Sequence, residues 1–312
     1  SMGAWRAPTV ALMPDFVAPR DRSKGNGIVN FLGGFGAIFA FVVGGLLITD
    51  DNPFPGFLLV SIVMLLALVI LFLGVKEPDT RNWDFSAESE DDKISIITSI
   101  KQVAREPDKS TLFMLMAIFC WFLAYQGLEA LWTVYSGEFF GLDRGAATFS
   151  LTFVALPFML FAVPAGLIAK KITRRWTIIC GLVIGTIAFL VLEFIKGDMA
   201  PVYVLFPVFG IAWALININS IAMIWQMAPS AKHIGTYTGL YYFFSFLAAI
   251  VGPTVLGFFM DYVVGRENMF VICVAFFLLA IFFMTKVKRG EPELTDEERE
   301  ARQAAINRVD RE

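Results

Sequence analysis

Apolar residues in this chain run in long blocks separated by short polar breaks. The blocks cover residues 25–49, 56–75, 111–135, 147–169, 176–195, 201–226, 235–260 and 267–285, and residues 1–14 read as the tail of one more. A helix needs about 20 apolar residues to cross about 30 Å of hydrocarbon. In that medium the backbone must satisfy its own hydrogen bonds, which leaves helices and closed barrels. The alternating ten-residue segments of a barrel are absent, so the pattern predicts an all-α chain of about eight full spans.

Polar positions order the ladder. Of the 25 Lys and Arg residues, 21 fall in the breaks 15–24, 76–110, 170–175 and 228–234 and in the tail from residue 286. Only Arg144, Lys196 and Arg266 fall in the intervening breaks, and Arg6 lies within the first block. The positive-inside rule then predicts a cytoplasmic central loop and C-terminus. The long break 76–110 opens acidic and continues with Ile94, Ile97, Ile100 and Ala104 at helical spacing beside Lys93, Lys101 and Arg105. This is the pattern of a short amphipathic helix on the membrane surface, with a plain linker as the alternative. Beyond residue 290, Thr295 and Glu298 form a capping box for a short soluble helix over 296–307.

Composition narrows the class. The apolar fraction is 57% and charged residues are only 17%, against about 25% in average soluble domains. A net charge of −3 gives no footing for nucleic acid. Cys120, Cys180 and Cys273 lie inside apolar blocks and read as small hydrophobes, neither a disulfide framework nor a metal set. His233 is the single histidine, which makes a histidine triad or metal centre implausible. No nucleophile–base pair or phosphate loop is present, so an enzyme is not expected and no cofactor is needed.

The chain also repeats itself. At an offset of 210 residues, Ala18-Pro19 matches Ala228-Pro229, Arg22 matches Lys232, Gly25 matches Gly235, Leu46 matches Leu256 and Asp51 matches Asp261. Parallel six-helix repeats about an axis along the membrane normal characterise one large class of secondary transporters. On that plan residues 1–75 are the end of a first half, 76–110 the central loop, 111–285 a complete second half and 286–312 the tail. Three helices and part of a fourth would then precede residue 1.

The loop GLIAKKITRRW at 166–176 is similar to the loop signature of the major facilitator superfamily, G-x-x-A-(D)-(R/K)-x-x-R-(R/K). Gly166, Ala169, Lys171, Arg174 and Arg175 carry the match; Lys170 stands where the pattern usually has Asp. The stretches 5–15, 121–135, 210–220 and 235–245 resemble the bacterial glycoside–pentoside–hexuronide cation symporters and the related sucrose–proton carriers. The resemblance implies a multi-pass protein of the cell membrane, monomeric in its bilayer. It would carry a sugar or glycoside with a coupling ion, a proton in preference to sodium, by alternating access of its halves.

Intramembrane polar residues mark candidate pathways. Glu129 lies in the seventh helix with no Lys or Arg between Lys109 and Arg144, which suits reversible protonation and makes it the proton-coupling candidate. Arg6 lies nine residues before Asp15, about 13 Å along a helix, near mid-depth. Asn217 falls opposite Ala7 at the repeat offset. Asn217 and Asn219 both donate and accept hydrogen bonds, which suits hydroxyl-rich solutes. Arg6, Tyr125, Gln126, Asn217, Asn219 and Tyr241 are therefore the solute-contact candidates. Trp121, Trp132, Trp213 and Tyr237 are weaker stacking candidates, and Glu193, near a helix end, is a weaker carboxylate. Gly166, Lys171, Arg174 and Arg175 are expected to hold the cytoplasmic side closed, against Asp15 or Asp21. Gly36, Ala40 and Gly44, with Gly235 and Gly239, are expected to line sliding contacts between the halves. Export of drugs or metabolites, and a non-transporting receptor on the same fold, remain open alternatives.

Overall fold

The computed structural model of the chain describes residues 22–74, 96–195, 197–229 and 233–291. They form ten α-helices: α1 Arg22–Leu47, α2 Phe54–Gly74, α3 Ile96–Arg105, α4 Ser110–Phe140, α5 Arg144–Ser150, α6 Thr152–Ile172, α7 Arg174–Phe194, α8 Ala200–Met227, α9 Ile234–Phe259 and α10 Met269–Lys286. A break at Leu151 separates α5 from α6, which together make one span, Arg144–Ile172. A π turn, Met260–Val264, extends α9. Among the described residues, seven helices are long and apolar enough to cross a membrane, and α1 adds the shorter apolar stretch Phe31–Leu47. Helix α4 outruns its apolar block, ending at Gly141, whose φ of 66° closes the last turn. The repeat mates α1 and α9 are both 26 residues long.

The core lies among helices α4 to α10. Helix α4 packs between α9 and α10, and α8 packs between α6 and α7. Glycines let these backbones approach. A Cβ on Gly181 of α7 would lie 2.7 Å from the Ala212 carbonyl oxygen of α8. One on Gly252 of α9 would lie 2.7 Å from the Leu123 oxygen of α4. Between these contacts sit fully buried rings, among them Trp132, Phe189, Phe206, Phe270 and Phe277. Without a hydrophobic driving force between helices in lipid, close van der Waals packing of this kind holds the bundle.

Helix α1 lies against α5 and α6. The contact runs through Gly34, whose Cβ would meet Met159 at 3.2 Å, and through Gly45, whose Cβ would meet Phe149 at 2.8 Å. Gly36, Gly235 and Gly239 face open space. Of the expected stripe, a Cβ on Gly44 would meet Thr148 of α5 at 3.6 Å while Gly36 faces open space, and the closest approaches of α1 are at Gly34 and Gly45. Spacing alone names a small-residue stripe without saying which side meets a neighbour. Helix α3 forms where the amphipathic pattern predicts it, with Ser99 and Val103 buried and α9 as its main neighbour.

The alternating helices sort the described charges into two faces. Lys101, Arg105, Lys109, Lys170, Lys171, Arg174, Arg175, Lys286, Lys288 and Arg289, with Glu106, Asp108 and Glu291, share the basic face. Asp50, Glu138, Asp143, Asp198, Asp261 and Glu267, with Arg144 and Arg266, share the opposite, acidic face.

Candidate functional site

Helices α4 and α8 run antiparallel and meet near mid-length through aromatic rings. Tyr125 stacks on Trp213 with centroids 4.3 Å apart and planes at 27°, and on Phe209 at 5.8 Å. Phe122 meets Trp213 and Tyr241 edge-on at 5.3 and 6.2 Å. Offset and edge-to-face geometries of this kind place ring edges on ring faces. Tyr125, Gln126 and Glu129 are half-buried, and Glu129 lies one turn from Tyr125 on the same face of α4. No salt bridge or hydrogen bond joins the Glu129 carboxylate to another described residue.

The tenth-helix candidates divide. Asn219 is buried, and its amide nitrogen donates to Ala165 O of α6 at 3.3 Å and to Leu215 O at 2.9 Å. Its donors are taken up in helix packing. Asn217, half-buried, is one turn from Trp213. The Tyr241 and Ser220 hydroxyls share a hydrogen bond of 3.2 Å, and Tyr241 is buried. The structure stacks Tyr125 on Trp213 where α4 crosses α8; Glu129 lies one turn from that stack towards the acidic face, and Asn217 one turn from it towards the basic face. It buries Asn219 and Tyr241 at the edge of that group. Arg6, Asp15 and Asp21 lie outside the described residues.

The weaker aromatic candidates have other positions. Trp132 is fully buried, and its indole N–H donates to Ser150 Oγ at 2.8 Å and Ala147 O at 3.1 Å, tying α4 to α5. Trp121 is fully buried, with no described partner for its indole nitrogen. The Tyr237 hydroxyl donates to Glu106 Oε1 at 2.8 Å on the basic face. Glu193 is buried inside the second half in spite of its place at the end of α7.

The basic-face loop is bound within the second half. Arg174 Nη1 donates to Ala222 O at 3.2 Å; Arg175 donates to Met284 O at 3.2 Å and Thr285 O at 2.8 Å. The Met284 and Thr285 carbonyls lie in the last turn of α10, where a guanidinium meets the negative end of a helix, and Ala222 lies within α8. Helix α7 begins at Arg174, and the Glu291 carboxylate accepts from the Arg174 and Arg175 N–H groups at 3.0 and 2.7 Å. A carboxylate at a helix N-terminus satisfies its orphan donors and its dipole. Lys170 offers no carboxylate of its own, and Glu291 provides one at the neighbouring helix start. Gly166 has open space around it, and Lys171 is exposed.

The residues just past α10 form a strap that sequence reading missed. Arg289 pairs with Glu106 at 2.7 Å and with Asp108 at 2.8 Å, while Ser110 Oγ accepts from the Lys288 and Arg289 N–H groups. Ser110, through its hydroxyl and its N–H, holds the Asp108 carboxyl below the usual carboxylate range, and Arg289 adds to this. The only signal in the sequence was a cluster of opposite charges at two distant break points.

The fold is a polytopic helical bundle with polar residues between its helices near mid-span. The family model for the Major Facilitator Superfamily matches residues 1–162 and 137–309. The chain belongs to the Major Facilitator Superfamily. It is 26% identical over 260 residues to the class D tetracycline resistance protein of Salmonella ordonez. That alignment covers 82% of this chain and 62% of the relative, so the chain spans less than two thirds of that protein's length. The crystal structure of the E. coli fucose:proton symporter FucP superposes with a TM-score of 0.60 at 16% identity, covering 89% of this chain and 72% of that one. FucP in its outward conformation gives a TM-score of 0.59 at 16% identity, over 88% and 70% of the two chains. At that identity the likeness to FucP concerns the fold.

Proposed function

We propose that this chain belongs to a proton-coupled symporter of a sugar or glycoside, working by alternating access of two halves, with Glu129 as the coupling carboxyl. The observation that carries the reading is the pairing of Glu129 with the Tyr125–Trp213 stack one turn away. A carboxyl without a bound cation can take up and release a proton as its surroundings change. A lone carboxyl suits a proton better than a metal cation, since hard cations collect several oxygen ligands. The aromatic faces and the half-buried Gln126 and Asn217 suit the apolar and hydroxyl faces of a sugar ring. Arg6 completes the proposed contacts from the first half. Basic loops face the cytoplasm under the positive-inside rule, with the acidic face outside.

Export of a lipophilic solute is the second reading. Two observations favour it: the tetracycline resistance relative, and the commitment of the Asn219 donors to helix packing. The deciding experiment is uptake of radiolabelled disaccharides by cells expressing the full-length protein, wild type and Glu129→Gln, across external pH. Uptake that rises as external pH falls, and loses that dependence in Glu129→Gln, supports the symporter. Absence of glycoside uptake together with pH-driven accumulation of lipophilic cations in inverted vesicles overturns it in favour of export.

A further inference from the structure

Helices α7 and α10 lie side by side. A Cβ on Gly185 of α7 would lie 2.7 Å from the Phe277 ring of α10. At the basic-face end, Arg175 of α7 donates to the Met284 and Thr285 carbonyls of α10. The described helices of the first half pack mainly elsewhere, α1 against α5 and α6, and α2 against α1. The outward faces of α7 and α10 are uncovered. Trp176, Cys180, Val183 and Ile187 form an exposed stripe at helical spacing on α7, and Leu278 and Phe282 are exposed on α10. From Trp176 to Ile187 the stripe runs about 16 Å at 1.5 Å per residue, close to one leaflet's share of about 30 Å of hydrocarbon.

Two cations close the basic-face end of this seam. The Arg175 guanidinium lies 5.7 Å from the Trp176 ring centroid, and the Lys286 ammonium 5.4 Å from that of Phe282. The two rings are 54% and 52% exposed, so each cation is backed by an aromatic face that is open on its other side. The Thr285 carbonyl fixes Arg175 beside the residue that precedes Lys286. The carbonyl bonds of Arg175 leave its other guanidinium N–H groups without a described partner. Among the described residues neither cation is paired with a carboxylate. Glu291, close by, accepts instead from the Arg174 and Arg175 backbone N–H groups.

We infer that the α7–α10 seam is a binding site for an anionic phospholipid of the basic-face leaflet. The headgroup phosphate takes the remaining Arg175 donors and the Lys286 ammonium, through charge-assisted bonds that suit a planar guanidinium. The acyl chains lie along the Trp176–Ile187 stripe and over Leu278. A choline lipid offers the same phosphate and chains but sets its own cation against two others, so net negative charge decides the occupant. Under the positive-inside rule the basic face meets the cytoplasmic leaflet, whose surface is the anionic one. The site faces lipid and takes no part in the transport proposed above.

The test is native mass spectrometry of the full-length protein, titrated in detergent with dioleoyl phosphatidylglycerol or dioleoyl phosphatidylcholine. The wild type is expected to hold phosphatidylglycerol adducts at lower lipid concentration than phosphatidylcholine adducts. Lys286→Gln and Arg175→Gln should each weaken the phosphatidylglycerol adduct about five-fold and leave phosphatidylcholine unchanged. Lys101→Gln, exposed on α3 at the same face, should change neither. Equal retention of the two lipids by the wild type overturns the site, as does wild-type retention by Lys286→Gln or an equal loss with Lys101→Gln. A dimer lost in Lys286→Gln in place of a lipid adduct overturns it in favour of a second copy on the seam. Arg175 also ties α7 to α10; should Arg175→Gln reduce folded protein, Lys286→Gln decides alone, since the Lys286 ammonium makes no described hydrogen bond.

Discussion

Among the described residues, helices α2 and α4 are both apolar spans, yet the other described helices cover them to very different degrees. The most apolar stretch of α2 is 6% buried within the protein, and that of α4 is 67% buried, although α2 is the more hydrophobic of the two. On α2 only Gly56 is buried, and Phe72 is 85% exposed. On α4 the buried residues include the small or polar Ser110, Thr111 and Gly127 beside Leu115, Ile118 and Leu123. In a bilayer, lipid is as good a neighbour for leucine as another helix is, so hydrophobicity ceases to report packing. Small and polar residues report it instead, because they need a partner or permit a close approach. Glu129, Tyr125 and Gln126 therefore lie on the less apolar helix.

The largest expected break in this contrast is at a helix crossing. Gly181→Leu drives a side chain into Ala212 O and Ile216, and overpacking of this kind costs about 1–3 kcal/mol or more. Thermal denaturation in detergent should show a marked fall in Tm or loss of folded protein. Phe72→Ala on α2 should stay within about 0.5 kcal/mol by the same measurement. A comparable loss at Phe72 would mean that α2 is packed as tightly as α4.

A smaller effect is expected at Trp132→Phe. It removes the indole donor to Ser150 and Ala147 while keeping most of the ring. Ser150 Oγ loses its donor but still donates to Ala147 O at 2.7 Å, so the loss should be about 1 kcal/mol. The combination with Ser150→Ala should cost less than the sum of the single changes, which a double-mutant cycle on Tm would detect.

The smallest effect is expected on the basic face. The Asp108–Arg289 pair is part-exposed, and such pairs contribute about 0–1 kcal/mol. Asp108 is more acidic in the folded protein than its ordinary value of 3.8. Its contribution is therefore present above that value and is lost as pH falls through the lowered one. The Tm difference between wild type and Asp108→Asn should be small at pH 7 and shrink as the solution is acidified below 3.8. A difference that grows on acidification would assign the stabilisation to another group.

Much of the architecture was legible in the chain. Each apolar block among the described residues coincides with a helix or, at 147–169, with the pair α5 and α6, and the break 76–110 holds the short helix α3. The mid-span candidates on α4 were legible because a glutamate in an apolar block has no cheap place in lipid. Asn219 was not, since an amide that feeds a carbonyl of α6 and one that awaits a solute look alike in sequence. Nor were the partners of Arg174 and Arg175: Glu291 lies more than a hundred residues further along.

By itself, then, the sequence determined which segments are helices in a membrane and how their charges sort by face. Both follow from the cost of exposing backbone and charge to hydrocarbon, which is local to each segment. Tertiary structure alone decided which face of each helix meets a neighbour. It set α1 through Gly34 and Gly45 against α6 and α5, stacked Tyr125 on Trp213, and brought Asp50 to the amide of Arg144. Those choices depend on shape fit between surfaces far apart in the chain, and lipid, indifferent between one apolar face and another, leaves no trace of them in the apolar pattern.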